Sequence, residues 1–518
     1  MSPHILVVLT LFILVFAAGA RASDYSLWIE PSATKVLRDA KPSAKAPAGA
    51  DLCAARNEWE SFQICLRGAD KAKVRIELSE LRRRGGGTIP ASKIWTGLVC
   101  YVPIMTPPVP YPDPLPPLRP FELQPDTTQP IWVTVKVPER CRAGDYSGSV
   151  KVTVGNSTRK VPVKLHVWDF TLPKTPRCVT AFGISPEYIY RTHGVAGDAA
   201  KQTDLHRKYY EMLLEHKISP YSIPVDLMSE EAKAYLEDSR MTSYMIPYLQ
   251  DDAKQKELIQ YLIANDWFRK GYLYPLDEPV NKQAYDNLAA ICQRLRTIEP
   301  KYRLVSPYFR GPDWDESKTI YDYCVGQVNI WCPNEQYLDL QARTRPFLQA
   351  RKNAGEDIWW YVCCGPGRPY TNFFVDYSGL MHRMLFWHQK RENIAGLLYW
   401  STTYWNPVEG CDDPWTSMMT VKSINPNIFG DGSLLYPGKA VGIDGPVASQ
   451  RLEIIRDGIE DFDYLCLADE LIGPGTAAKY IQPLAKSLAE YELDPAKLEK
   501  ARRKLGTALE AVAKSRMP

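Results

Sequence analysis

The sequence predicts a multidomain β plus α/β protein: an N-terminal antiparallel β-sandwich, then a (β/α)8 TIM-type barrel, then C-terminal helices. Three observations predict it. Residues 24 to about 176 alternate apolar and polar side chains with period two, with no helical stripe between the runs. After Arg177, short apolar runs alternate with helical stretches, and eight such strand-helix units can be counted. A chain of 518 residues is long enough for two or three domains.

The chain opens on "ILVVLTLFILVFAAGA", followed by Ala20-Arg21-Ala22, a small-x-small cleavage pattern before Ser23. This predicts a signal peptide over 1–22 and an exported protein, periplasmic or secreted. No later run reaches the ~18 apolar residues of a membrane span. The sandwich, 23–176, takes its strands from "WESFQICLR" (59–67), "PIWVTVKVP" (130–138), "GSVKVTVG" (148–155) and "RKVPVKLHVWDF" (159–170). "ELRRRGGG" (80–87) reads as a solvated hairpin tip. The proline-rich 101–118 is excluded from a central strand and reads as a stiff loop, either a spacer or an arm towards the next domain. "LPKTP" (172–176) supplies the linker.

The barrel is placed at 177–473. Its strands start from "CVTAFGIS" (178), "SPYSIPV" (219), "SYMIPYL" (243), "GYLYPLD" (271), "RLVSPYF" (303), "VGQVNIWCP" (325), "DIWWYVCC" (357) and "GLLYWSTT" (396). Between them lie helices such as 281–300, where Leu288, Ile291, Leu295 and Ile298 form one apolar stripe. Leu452, Ile455, Ile459 and Phe462 form the stripe of the last barrel helix, and 474–518 is a helical extension.

Composition excludes several classes of function. A net charge of +3 without a dense basic block gives no nucleic-acid footprint. The seven histidines lie far apart and none of the twelve cysteines forms a CxxC pair, so no metal site is expected. No Walker, Rossmann or GxSxG pattern is present, and no cofactor is expected. Cys363 and Cys364 are adjacent, and sequence alone assigns no disulfide. The 14 Trp and 30 Tyr suit both a core and the apolar faces of sugars.

The chemistry is expected at "GYLYPLDEPV", where Asp277 and Glu278 end the fourth barrel strand. Barrel active sites lie at the C-terminal ends of strands. Neighbouring side chains on a strand point to opposite faces, so both acids serve one pocket only if the backbone bends there. Pro279 is expected to hold Glu278 extended. The structural alternative is an acidic helix cap. Other strand ends supply candidate substrate contacts: Trp331, Trp360, Tyr361, Asn372, Trp400 and Trp405, with Tyr274 beside the acid pair and Arg368 in "GPGRPYTN". Acids, rim aromatics and export point to a glycan or glycoconjugate substrate. Two adjacent carboxylates are poorly placed to flank a scissile bond at the ~5–5.5 or ~6.5–9.5 Å of conventional glycosidases. They suit substrate-assisted hydrolysis, with Asp277 on a 2-acetamido group and Glu278 as general acid/base. Two alternatives stay open: a conventional pair of Glu278 with Glu335, Asp376 or Glu409, and a non-catalytic carbohydrate-binding protein.

The chain resembles glycoside hydrolase family 123. The resemblance rests on "AARNEWESFQICL", "GDYSGSVKV", "YLYPLDEP", "VNIWCP", "WWYVCCGPGRPYTN", "AGLLYWSTTYWNP", "GDGSLLYPG" and "SQRLEIIRDGIEDFDYL". It implies an exo-acting, retaining β-N-acetylgalactosaminidase with the Asp-Glu pair at Asp277-Glu278. It also implies the sandwich-plus-barrel layout.

Overall fold

The computed structural model describes residues 25–105 and 107–515; the expected signal peptide lies outside them. Two sheets face each other in the N-terminal region. One orders Tyr25–Pro31, Trp59–Gly68, Gln129–Lys136 and Ile94–Leu98, all antiparallel. The other orders Phe121–Leu123, Ala72–Leu78, Gly144–Val154, Ser157–Thr171 and Ala50–Arg56. Period two does the packing: Val150, Val152 and Val154 are buried beneath the opposing sheet with Ile64, Leu66, Ile131 and Val133. Each such side chain contributes about 1.5–3 kcal/mol of burial. One pair departs from the antiparallel expectation, since Ala50–Arg56 runs parallel to Ser157–Thr171. Alternation along a strand reports which face is buried, not the direction of the neighbour.

The proline-rich segment is more ordered than a loop. Tyr101–Ile104 and Val109–Pro112 form an antiparallel hairpin, and Pro114–Leu115 pairs with Pro446–Ser449. Prolines are tolerated because these are short ladders at sheet edges. It is therefore an arm joining the two regions.

The second region is parallel α/β. Val179–Phe182, Gly396–Tyr399, Asp357–Tyr361, Ile330–Pro333 and Val305–Tyr308 are successive parallel neighbours. Gly271–Tyr272 pairs in parallel with Tyr244–Met245. Helices lie between the strands, Ala199–Glu215, Asp252–Ala264, Lys282–Ile298, Thr344–Asn353 and Gly379–Arg391 among them, as parallel crossovers require. Two connections carry little helix: Ala232–Leu236 and Tyr321–Cys324.

The helix Gln450–Leu471 was expected to bury one stripe. It is instead buried on nearly every side, because it lies between the two regions and the C-terminal helix Pro495–Ser515. Several of its charges are matched across those contacts. Arg451 pairs with Asp113 of the proline-rich arm at 2.8 Å, and Asp461 accepts from Arg383 at 2.7 Å and Arg502 at 3.0 Å. Arg502 also binds Glu58 and Glu60 of the sandwich, so the last helix ties both regions together.

Candidate active site

The strand Gly271–Tyr272 is short, and the chain leaves the sheet just after Leu273, which still bridges Leu304. Ser306 Oγ donates to the Leu276 carbonyl at 2.8 Å, and the Asp313 amide donates to the Val280 carbonyl at 2.8 Å. Between these two clips the backbone bends at Asp277, and Glu278 takes φ +40°. The extended geometry expected from Pro279 is thus overturned: the clipped loop imposes a left-handed residue. Such a non-glycine position costs about 1–3 kcal/mol and is a feature of functional sites. Leaving the strand also lifts the rule that neighbouring side chains face opposite ways.

Each acid has its own phenol. Tyr361 Oη, on the strand Asp357–Tyr361, donates to Glu278 Oε1. Tyr274 Oη donates to Asp277 Oδ1. Among the described residues neither carboxylate forms an ion pair with a Lys, Arg or His. Burial pushes the Glu278 carboxyl above its ordinary range and the Asp277 charge adds to this, while the Tyr361 bond opposes them. Asp277 is exposed and Glu278 half-buried. Beneath them lies a cluster of inward side chains that includes Tyr272, Cys332, Trp359 and Tyr361.

The other expected contacts divide. Trp400 follows the strand next to that of Tyr361, is half-buried, and donates from Nε1 to both oxygens of Asp431 at 3.2 Å. Trp331 and Trp360 do not join the acid pair. Both are fully buried on the opposite face of the sheet, and Trp331 donates to Glu356 at 2.6 Å beside Phe347. The reason is strand parity: Trp359 and Tyr361 point inward, so Trp360 between them cannot. Trp405 is also core, its Nε1 donating to the Leu435 carbonyl at 3.2 Å. Asn372 is buried and holds a loop, donating to the carbonyls of Cys363 at 2.9 Å and Pro366 at 3.0 Å. Arg368 is exposed, pairs with Asp376 at 3.1 Å and lies over the Tyr377 ring. Of the remote acids, Glu335 accepts from Thr371 at 2.7 Å and Glu409 from Ser423 at 2.5 Å, so both serve their own loops.

The family description "Glycoside hydrolase 123, catalytic domain" matches residues 210–468, and "Glycoside hydrolase 123 N-terminal domain" matches 38–154. The chain belongs to glycoside hydrolase family 123. A family 123 enzyme from Clostridium perfringens, described for glycolipid glycan hydrolysis, shares the fold at TM-score 0.73 and 13% identity, over 95% of this chain and 99% of that one. A β-galacturonidase from Eisenbergiella tayi aligns at TM-score 0.33 and 11% identity, covering 84% of this chain and 71% of that one. No curated protein matches the chain in a sequence comparison.

This family 123 chain has further groups near the acid pair that sequence reasoning missed. Tyr221 packs edge-on against Tyr274 with ring centroids 6.4 Å apart. Its hydroxyl is buried without a hydrogen-bond partner and lies in the field of Asp277. Asp431 is held between Gly430 and Gly432, and burial pushes it up to about 6 although Trp400 and Tyr399 bind it. Gly432, at φ +66°, has no room for a Cβ because the Trp400 ring occupies it. The "GDG" turn was visible in the sequence; its position under Trp400 was not. Cys363 and Cys364 follow Tyr361 after Val362; Cys363 packs on the cluster that contains Tyr361, and Cys364 on the cluster of Phe374, Tyr377 and Met381, on which Trp400 also packs.

Proposed function

We propose that this glycoside hydrolase is an exported, retaining exo-β-N-acetylgalactosaminidase acting through the substrate's own 2-acetamido group. The observation that carries the reading is the divided support of two adjacent carboxylates: a half-buried Glu278 with a raised pKa on Tyr361, and an exposed Asp277 on Tyr274. Two neighbouring carboxyl groups in such different environments suit different roles, and the direction of the Glu278 shift favours the acid role. Glu278 gives its proton to the leaving oxygen as the acetamido oxygen attacks C1. Asp277 accepts the acetamide N–H and stabilises the positive charge of the oxazolinium ion. Glu278 then takes a proton from water, which opens the ring with overall retention. An intramolecular nucleophile of this kind can contribute about 7–11 kcal/mol. Trp400 is the proposed sugar contact.

The same proposal takes the parallel region as a (β/α)8 barrel. Leu273 bridges Leu304, Met245 N–H bonds the Tyr221 carbonyl at 2.6 Å, and Pro220 bridges Phe182, which supports closure of the strand succession. Export rests on the apolar run before Ser23. The test is a set of matched aryl β-glycosides: N-acetylgalactosaminide, N-acetylglucosaminide and plain galactoside. Turnover should require the acetamide and favour the galacto sugar. Equal rates with and without the acetamide would sink the mechanism. Asp431 would then be the second carboxylate to examine, because it accepts from Trp400 and burial pushes it up to about 6.

A further inference from the structure

Cys363 and Cys364 are sequence neighbours whose Sγ atoms lie 3.6 Å apart at the end of the strand bearing Tyr361. Both thiols are free and only partly buried. A Cβ placed on Gly365 or Gly367 would meet nothing within 4 Å, so the loop that follows borders open space. We propose that this vicinal pair is a reversible modification site: a small-molecule or protein disulfide oxidises it to a Cys363–Cys364 disulfide, which slows the hydrolase.

The step balances as two thiol–disulfide exchanges. The Cys364 thiolate attacks one sulfur of the external disulfide, forming a mixed disulfide and expelling one thiolate. Cys363 sulfur then attacks Cys364 Sγ, closing the ring and expelling the second. The two thiol protons end on the expelled thiolates, so the cysteines lose two electrons and the external disulfide gains them. Cys364 is suited to attack first, since the Cys363 hydrogen bond favours its thiolate and lowers its pKa, against the opposing effects of burial, Asp431 and Glu278. The product should be readily reduced again. Adjacent Cα atoms lie ~3.8 Å apart, closer than the ~4.4–6.8 Å at which disulfides are unstrained.

The consequence follows from the cluster on which each thiol packs. Cys363 packs on the cluster that contains Tyr361, and Cys364 on the cluster of Phe374, Tyr377 and Met381, on which Trp400 and Tyr404 also pack. Joining the sulfurs requires ~1.5 Å of approach, from 3.6 Å to a bond near ~2.05 Å. That movement pulls on both clusters, and Tyr361, two residues away, carries the bond to Glu278. The proposed loss of rate rests on the glycosidase reading; the modification itself does not.

The experiment compares the full mature protein after oxidised glutathione and after dithiothreitol. Peptide mapping should show the 363–364 peptide lighter by two hydrogens, closed to iodoacetamide, and restored by dithiothreitol. Turnover of the aryl N-acetylgalactosaminide should fall roughly ten- to hundredfold and return, the scale of one lost hydrogen bond to a carboxylate. Cys364→Ser should make turnover insensitive to oxidised glutathione. A peptide that stays fully alkylated, a glutathione adduct that never resolves, or unchanged turnover with the pair joined would each overturn the proposal. Should the reduced protein hydrolyse no aryl glycoside, the glycosidase reading fails, and peptide mass still decides the site.

Discussion

On the helix Gln450–Leu471, charged side chains are buried and meet opposite charges: Arg451 with Asp113, Arg456 with Glu453, Asp461 with Arg383 and Arg502. At the end of the strand Gly271–Tyr272, two carboxylates stand side by side with only phenols for company. The difference teaches how to separate structural from chemical acids in one chain. Burial alone would raise the buried Glu453, but Arg456 and His216 hold it at about 2. Glu278, partly buried and denied a cation, is instead pushed above its ordinary range by burial. The helix spends its charges on holding the two regions together, whereas the loop leaves its pair free to act on a ligand.

The comparison breaks first at Glu278. Glu278→Gln keeps shape but cannot transfer a proton, so turnover should drop ~10²–10⁴-fold while the melting temperature holds. Substrates with good leaving groups should lose least, and an equal loss across leaving groups would remove Glu278 from the acid role. Arg383→Met should do the opposite. Leaving Asp461 and Glu499 short of a cation should cost about 3–5 kcal/mol in a denaturant melt, with turnover per folded molecule unchanged. A neutral melt would mean that Arg502 alone satisfies Asp461.

The tryptophans sharpen the same contrast with smaller effects. Trp331→Ala should destabilise by about 3 kcal/mol, the low end for a buried ring, because Glu356 keeps its pairing with Arg351. Trp400→Ala should instead raise KM, with a smaller loss of stability than Trp331→Ala, since the half-buried ring also donates to Asp431. Reversed outcomes would exchange the core and rim assignments. The smallest effect is a pH shift. Tyr361 favours ionised Glu278, so Tyr361→Phe should raise the Glu278 pKa further. The acid form then persists to higher pH, and the basic limb of kcat/KM moves upward. A downward shift would mean that Tyr361 stabilises the protonated acid.

The two grammars were legible in the sequence, because a period-two strand and a helix-separated apolar run each expose a local preference for one buried face. The place of the acid pair at a strand end was legible too, whereas the proline-rich segment, read as a stiff loop that was either a spacer or an arm, turned out to form short edge ladders. Strand parity was not: "WWY" offers two tryptophans to one pocket, and only the pairing with neighbouring strands turns Trp359 and Tyr361 inward and Trp360 outward. Nor was the conformation of Glu278, since the local bias of Pro279 lost to clips from Ser306 and Asp313, distant in sequence. Residue types and local periods are properties of short segments and can be read from them. Which acid meets an arginine, which meets a tyrosine, and which ring points inward depend mostly on contacts between segments tens to hundreds of residues apart, so only the tertiary structure decided them.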